Sequence, residues 1–391
     1  MKYIFKAVNF IIPAVVLQVL YFFALLYTLS NLSPLIHFVM TALGIFCVFF
    51  IISGREAAIY RLSWAVPILF FPAVMGVVYL SYKSKSAPQK AETNTRKVKS
   101  SAPDYIARYI ENTAGMPPAS YSDAVYFPQG EDFFKRFLEE LSKAEKYIFI
   151  EFFIIEQGKM WDEILSVLVK KRNESVLVRL VFDGFGSLYT LPRGYCKNMR
   201  KMGIECIVFN PLRSLMSFRF NTRNHRKTAI IDGHTAFCGG LNLADNYINA
   251  RRTKAGHWKD SAVMVKGCAA WRFTLSFLTM WELLTQRREN RAQFMPDLAD
   301  GRDTASVWHD EPLDNERVSE RILLHFINRA DDYVYIITPY LSPSEELITA
   351  LCAAARAGTD VRVMLPFIPD KFVVSAITKS NYLPLLEAGV R

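Results

Sequence analysis

Two long uncharged stretches open the chain. They are followed by segments in which apolar residues recur with the spacing of helices or of strands. Neither Lys, Arg, Asp nor Glu occurs between Lys6 and Arg55, and residues 62–82 are likewise uncharged. A helix needs about 20 apolar residues to cross the hydrocarbon core of a bilayer. The first stretch is long enough for two such helices, with a turn at 30–34. The pattern therefore predicts three membrane spans, at 8–29, 35–52 and 62–81.

The first of these apolar runs also resembles the core of a secretory signal peptide, which is the simpler alternative. The run is longer than such a core, and no small-residue cleavage site follows it. We therefore expect this segment to remain attached, so that residues 1–82 form a membrane anchor.

A polar, basic segment separates the anchor from the rest of the chain. Residues 83–103 are rich in Ser, Lys, Ala, Thr and Pro and show no apolar periodicity, which is typical of a linker. The segment contains six Lys or Arg residues and one acid, Glu92. Because basic residues beside a span favour the cytoplasmic side, we expect the remainder of the chain in the cytoplasm. The six cysteines are irregularly spaced, which predicts reduced thiols rather than disulfides or a zinc site.

Beyond residue 103, segments with the apolar spacing of a helix alternate with segments that have the apolar spacing of a strand. The pattern predicts helices at 132–143, 159–172 and 194–202, and strands at 147–155, 176–182 and 204–209. Such alternation is typical of an α/β fold with a largely buried sheet.

The same order of segments then recurs farther along the chain. Residues 141–150 match 327–336, residues 178–182 match 361–365, and residues 201–205 match 387–391. Three matches in order, at an offset near 186 residues, favour duplication over a chance likeness of common βα units. We place a first lobe at 104–300 and a second at 301–391. The second copy stops in the strand after Gly389, so we expect this lobe to be incomplete.

A group of polar residues interrupts the apolar pattern after the first copy. His225, Lys227 and Asp232 have the spacing H-x-K-x4-D. Gly239, Gly240 and Asn242 follow as G-G-x-N. Side chains two positions apart on a strand point to one face, so His225 and Lys227 are expected to lie side by side.

These residues resemble the phospholipase D superfamily and, within it, the bacterial cardiolipin synthases. The likeness covers almost the whole chain and includes these further segments: 60–67, 150–154, 158–161, 183–187 and 242–247. It implies two α/β/α sandwich lobes behind N-terminal transmembrane helices, with each lobe giving one motif to a shared site. His257 and Lys259 repeat the first part of the motif without the downstream Asp or glycines. With one motif present and the second lobe incomplete, residues 1–391 alone are expected to have little or no activity.

The resemblance implies cardiolipin synthesis: transfer of a phosphatidyl group between two phosphatidylglycerol molecules, with release of glycerol, through a phosphohistidine. The requirements of such a reaction fit the residues. A neutral imidazole at His225 would attack phosphorus. Lys227 would offset the phosphate charge, and Asn242 would donate a hydrogen bond. The sequence shows no spaced set of metal ligands, so no metal or other cofactor is expected.

A carboxylate on the second ring nitrogen would fix the orientation of His225, as in catalytic triads. Asp232 is too far along the strand to do so, and we expect it to hold the following turn. Asp260 begins the apolar strand 261–265 and is the predicted orienting residue. Glu151 and Asp183 carry no predicted catalytic role.

The net charge of +10 favours anionic partners. The segment from Pro211 to Asp232 contains five basic residues, and its one acid is Asp232 itself. The basic residues are Arg213, Arg219, Arg223, Arg226 and Lys227. Large apolar residues are interleaved with them, which favours a lip that meets the membrane over a solvated connector. We expect Arg219, Arg223 and Arg226 to bind lipid phosphate. The predicted partners are phosphatidylglycerol and other anionic lipids of a bacterial cell membrane, and not nucleic acid.

Two other functions stay open at this point. One is another phosphatidyltransferase or hydrolase of the phospholipase D type, such as a phosphatidylserine synthase. The other is a catalytically silent membrane protein that binds anionic lipid through its basic loop. The sequence leaves the oligomeric state open.

Overall fold

The computed structural model describes residues 20, 33–54, 58–72, 75–76, 78–79, 102, 104–211, 223–297, 301–310, 316–369 and 371–391. These residues belong to two compact units, which are described separately.

The N-terminal unit contains two helices, α1 (Ser33–Ile52) and α2 (Ala58–Phe70). Helix α1 coincides with the second predicted span. At 13 residues, α2 is about 20 Å long, short of the roughly 30 Å of a bilayer core. The first predicted span, 8–29, falls outside the described residues except for residue 20. Within the described part of the chain, no helix is both long and apolar enough to cross a membrane, so the structure does not support the three predicted spans.

A mixed β-sheet forms the centre of the larger unit. The strands before residue 310 are β1 (Ala119–Tyr121), β2 (Asp123–Phe127), β3 (Tyr147–Phe152), β4 (Leu177–Asp183), β5 (Glu205–Phe209), β6 (Lys227–Ile231), β7 (Thr235–Gly239), β8 (Ala262–Lys266) and β9 (Asp303–Ala305). Seven of them are hydrogen-bonded in the order β2-β8-β7-β6-β3-β4-β5. Strands β3, β4 and β5 run parallel, whereas β6 pairs antiparallel with β3. Every residue of β3 is buried, which confirms the predicted buried sheet.

Helices cover both faces of this sheet. After α3 (Tyr105–Ala114), they are α4 (Gly130–Ser142), α5 (Lys159–Asn173), α6 (Tyr195–Lys201) and α7 (Cys268–Thr285). Phe137 of α4 and Trp161 of α5 belong to the core on one face, and Phe277 of α7 belongs to the core on the other. The predicted α/β fold is thus confirmed, and the three predicted helices, now α4, α5 and α6, begin and end within two residues of their predicted bounds.

The strand predicted at 147–155 ends early, at Phe152. The chain leaves the sheet there, because the backbone N–H of Ile154 donates to the side chain of Asn242 at 3.0 Å. Ile155 then forms an isolated bridge with Leu243. Residues 153–155 are all apolar, and Ile155 belongs to the core, so the apolar pattern continues past the end of the strand and overstated its length.

The later part of the chain repeats the order of elements. It contains α8 (Val318–Arg329), β10 (Tyr333–Ile337), α9 (Glu345–Arg356), β11 (Asp360–Met364), α10 (Phe372–Ser380) and α11 (Tyr382–Glu387). Strands β10 and β11 pair in parallel, as β3 and β4 do. Arg391 continues this pairing, since its N–H donates to the carbonyl of Val361 at 2.9 Å. The domain boundaries at 104–300 and 301–391 stay a prediction.

Candidate active site

His225 lies just before β6, at the junction between the parallel strands β3–β5 and the antiparallel part of the central sheet. Strand β6 begins two residues later, at Lys227, which pairs with Phe152 at the carboxyl end of β3. His225 thus lies before β6 rather than on it, but its side chain and that of Lys227 still lie side by side, as predicted. The Nζ of Lys227 lies 3.2 Å from each ring nitrogen of His225. It also donates to the backbone carbonyl of His225 at 2.8 Å.

An aromatic ring forms one wall of the site. The centroid of Phe153 lies 4.8 Å from that of His225, and the Nζ of Lys227 lies 5.7 Å from the Phe153 ring. Gly186 packs closely against Phe153. A Cβ at Gly186 would come within 2.3 Å of the Phe153 carbonyl oxygen, closer than any non-bonded contact allows. The glycine is therefore required for Phe153 to occupy this position.

The electrostatic surroundings keep His225 neutral and Lys227 charged at neutral pH. Burial of the imidazole, followed by the positive charges of Lys227 and Lys371, lowers the pKa of His225 to about 4. The residue still retains an exposed edge. Burial lowers the pKa of Lys227 to about 8, against the opposing effects of Asp260 and Cys238. A neutral imidazole beside an ammonium group is the arrangement that attack on an anionic phosphodiester requires.

Buried carboxylates fix the segment that presents His225. The side-chain amide of Asn224 donates to Glu151, and its backbone N–H donates to Asp183 at 3.1 Å. Its side-chain oxygen accepts the N–H of Arg226 at 3.0 Å. Glu151 and Asp183 are each 1% exposed. No catalytic role was predicted for these acids, although their place near the ends of two adjacent buried strands was the available signal.

The two described arginines of the basic segment face these acids. Arg223 donates to the carbonyl of Asn210 at 3.0 Å and to Asp183 at 3.4 Å. The guanidinium of Arg226 lies 3.7 Å from Glu151. Arg219, the third predicted lipid-binding arginine, lies outside the described residues. Both described arginines thus have protein carboxylates as partners, and lipid binding by any of the three stays a prediction.

Asp232 lies at the far end of β6, roughly 15 Å along the strand from Lys227. Its carboxylate accepts the backbone N–H groups of three successive residues, Glu145, Lys146 and Tyr147, at 2.7–2.8 Å. Its own backbone is left-handed, with φ of 50°. The carboxylate therefore fixes the start of β3, in addition to occupying the turn after β6.

Asn242 uses both side-chain polar atoms within the protein. Its oxygen accepts from Ile154, and its amide donates to the Tyr247 hydroxyl at 2.7 Å. The residue is 3% exposed. In this arrangement Asn242 holds the chain beyond β3, and the predicted hydrogen bond to phosphate would use the second hydrogen of its amide.

Asp260 lies beside the lysine of the site rather than its histidine. Burial raises the pKa of its carboxyl group, and the charge of Lys227 acts in the opposite direction. A Cβ at Gly240 would come within 2.9 Å of its Oδ1, so the G-G-x-N glycine gives this carboxyl group its space. Among the described residues, Asp260 has no hydrogen bond to His225. Its orienting role stays a prediction.

One residue of the later chain acts on the site, and the sequence did not single it out. Lys371 immediately precedes α10, and its Nζ lies 5.3 Å from the centroid of Tyr340. Its charge contributes to the lowered pKa of His225. A lone lysine before a short helix belongs to no motif, so only the folded arrangement shows the relationship. Within the described ranges, no group of three or more His, Cys, Asp or Glu residues is arranged to hold a metal ion.

Comparison with known proteins places these residues in context. Residues 137–265 and 323–391 match the family described as "Cardiolipin synthase, PLD-like domain". An uncharacterized protein of Streptococcus mutans serotype c is 37% identical over 88% of this chain and 79% of its own length. The cardiolipin synthase of Alkalihalophilus pseudofirmus is 29% identical over 96% of this chain and 81% of its own length. The cardiolipin synthase of Geobacillus kaustophilus is 33% identical over 71% of this chain and 56% of its own length, so the matched region spans about half of that relative.

Solved structures give a weaker match. The phosphatidylserine synthase of Haemophilus influenzae Rd KW20 aligns with a TM-score of 0.47 and 13% identity, over 67% of this chain and 66% of its own. This similarity is too low to support a conclusion about function.

Proposed function

Because the chain belongs to the family of the cardiolipin synthase PLD-like domain, and with it to the phosphatidyltransferase enzymes, we propose that it makes cardiolipin. In this proposal a phosphatidyl group passes from one phosphatidylglycerol to the hydroxyl of another, and glycerol is released. The observation that carries the proposal is the neutral imidazole of His225 beside the buried ammonium of Lys227, at 3.2 Å.

In the first half-reaction, a ring nitrogen of His225 forms a bond to phosphorus as the bond from phosphorus to the glycerol oxygen breaks. The imidazole lone pair is available because the pKa of His225 lies near 4. The negative charge on the non-bridging oxygens is offset by Lys227, which is mainly protonated at pH 7. The departing glycerol oxygen takes up a proton, for which the family resemblance implies a second histidine. The 391 residues contain one H-x-K-x4-D motif.

In the second half-reaction, a hydroxyl of another phosphatidylglycerol attacks the phosphohistidine. The new phosphorus–oxygen bond forms as the phosphorus–nitrogen bond breaks, and the electron pair returns to the imidazole. The proton of the attacking hydroxyl passes to the same second histidine that the family resemblance implies. Dividing the transfer in this way replaces one difficult displacement with two easier ones. Both substrates and the product are lipids, so we propose that the protein acts at the bacterial cell membrane.

The experiment follows product formation by the complete gene product in phosphatidylglycerol vesicles. Mass spectrometry should detect cardiolipin and free glycerol, and His225→Ala should abolish both while the protein stays folded. His234→Ala is the matched control, because His234 is exposed and its ring contacts Thr235. After an alkaline quench, lipid phosphate should remain bound to the peptide that contains His225.

Other products would identify other functions. Phosphatidic acid in place of cardiolipin would make the protein a hydrolase, and transfer to added serine would make it a different phosphatidyltransferase. Lipid binding without any turnover would indicate a silent binding protein. Full turnover by His225→Ala would remove His225 from the mechanism.

A further inference from the structure

Two cysteines that the proposed reaction does not use lie against each other. The Sγ atoms of Cys196, in α6, and Cys206, in β5, are 2.7 Å apart. Both are free thiols. Their separation is shorter than a sulfur–sulfur contact between non-bonded atoms and approaches the roughly 2.05 Å of a disulfide bond. Among the described cysteines, no other two sulfur atoms are in contact.

The backbone brings these residues together although ten positions separate them. Gly203, with φ of 77°, turns the chain between α6 and β5. Arg200 fixes the turn by donating to the carbonyl of Cys206, at 3.2 Å from Nε and 2.6 Å from Nη2. The sheet holds Cys206, which pairs with Leu180 of β4. A covalent bond between the sulfurs would therefore need little movement of the backbone.

The two thiols differ in reactivity. A hydrogen bond from Cys206, assisted by the nearby charge of Arg200, lowers the pKa of Cys196. The same hydrogen bond, together with burial, raises the pKa of Cys206. Cys196 is half-buried and packs against the edge of the core, whereas Cys206 is 1% exposed. A partly exposed cysteine with a lowered pKa beside a second, buried thiol is the arrangement of a redox-sensitive cysteine pair.

We propose that Cys196 and Cys206 form an oxidation site, at which a peroxide converts the two thiols into an intramolecular disulfide. The Cys196 thiolate attacks one peroxide oxygen, so that a sulfur–oxygen bond forms, the oxygen–oxygen bond breaks and hydroxide leaves. Cys196 is then a sulfenic acid, oxidised by two electrons. The Cys206 thiol attacks this sulfur, and the sulfenic oxygen leaves as water with the thiol proton. A low-molecular-weight dithiol reverses the change by thiol–disulfide exchange.

The disulfide would tie α6 to the edge strand of the central sheet. It closes a loop of ten residues, which restricts the unfolded chain and should stabilise this corner of the fold. The melting temperature of the oxidised protein is expected to rise by roughly 5 °C or more. This effect does not depend on His225 or on the identity of the lipid substrate.

The test is a disulfide map of the purified 391-residue chain after one equivalent of hydrogen peroxide. Trypsin cleaves after Lys197 and Lys201, so the two cysteines lie on separate peptides, 194–197 and 202–213. A cross-linked pair of these peptides, lighter by two hydrogen atoms than their sum, should appear and should vanish after dithiothreitol. Of the six thiols, four should remain reactive in denaturant after oxidation.

Matched variants separate this pair from general oxidation. Cys196→Ser and Cys206→Ser should each abolish the cross-link and the rise in melting temperature, whereas Cys352→Ser should leave both intact. If a serine variant fails to fold, the wild-type peptide map still decides the question. A map in which Cys238 is oxidised but 194–197 and 202–213 stay unlinked would overturn the proposal, as would unselective pairing among all cysteines.

Discussion

The Nζ of Lys227 lies at the same distance, 3.2 Å, from both ring nitrogens of His225. The ammonium group therefore lies close to both nitrogens, either of which could bind a proton or a phosphorus atom. Burial is the largest cause of the lowered pKa of the histidine, and the charge of Lys227 lowers it further, so that the ring is neutral at physiological pH. The two residues act as one electrostatic unit, and the proposed chemistry should depend on the protonation of both.

The pH dependence of the rate should reflect this unit. His225 is neutral above its pKa of about 4, and Lys227 is charged below its pKa of about 8. We expect kcat/KM to be nearly constant between these values, to fall below pH 4 as the imidazole gains a proton, and to fall above pH 8 as the ammonium loses one. Rates measured at constant ionic strength test this, with circular dichroism to exclude unfolding. An acid limb near pH 6.5, the ordinary value, would contradict it.

Replacing Lys227 with Gln should affect both the rate and the titration of His225. Without the neighbouring charge, the pKa of His225 should rise towards 6.5. Loss of one strong donor to the phosphate should lower kcat/KM on the order of 10²–10³-fold. Histidine NMR signals followed against pH give the pKa directly. Lys254→Gln removes an equal charge from an exposed position and should change neither quantity.

Asp232→Ala should weaken the fold more than the chemistry. It leaves three backbone N–H groups at the start of β3 without their acceptor, at about 1–3 kcal/mol for each one that stays buried. Urea unfolding should show a loss of roughly 1–3 kcal/mol, because only the N–H of Tyr147 is fully buried among the three. Asp232→Asn retains one acceptor oxygen and should lose less. A large fall in kcat with unchanged stability would assign Asp232 a direct part in the reaction.

Asn224→Ala should displace His225 without removing any group that reacts. The variant loses the bonds to Glu151 and to the Arg226 N–H. Because a shift of about 1 Å can lower a rate roughly 10²-fold, we expect kcat to fall while KM stays nearly constant. Asn198→Ala, at an exposed position on α6, is the control. An unchanged kcat in a folded variant would show that Asn224 does not position the histidine.

Lys371→Gln tests the contribution of the later part of the chain. Because Lys371 is the weakest of the three causes that lower the pKa of His225, that pKa should rise less than in Lys227→Gln. The control substitution is Lys379→Gln. Lys379 is exposed near the end of α10, the helix that Lys371 immediately precedes. Identical titration of His225 in both variants would mean that Lys371 has no effect on the site.

The sequence located the reacting pair but not the residues around it. The spacing of His225 and Lys227 is local, and two positions of extended chain suffice to bring the side chains together. Asn224, by contrast, depends on Glu151, 73 positions earlier. Asn242 was predicted to contact phosphate, yet its partners at 154 and 247 come from the folded packing beyond β3. Cys196 and Cys206 looked isolated because their spacing matches no motif, and only the turn at Gly203 brings them together.

The position of Asp232 bears on how distant relatives are interpreted. Its carboxylate fixes the start of β3, whereas His225 lies at the other end of β6. The fold thus requires Asp232 independently of the chemistry proposed at His225. A homologue that loses its histidine and becomes a pseudoenzyme is expected to keep the aspartate and the glycines. In genome surveys, these residues without His225 and Lys227 would therefore trace common ancestry rather than lipid synthesis.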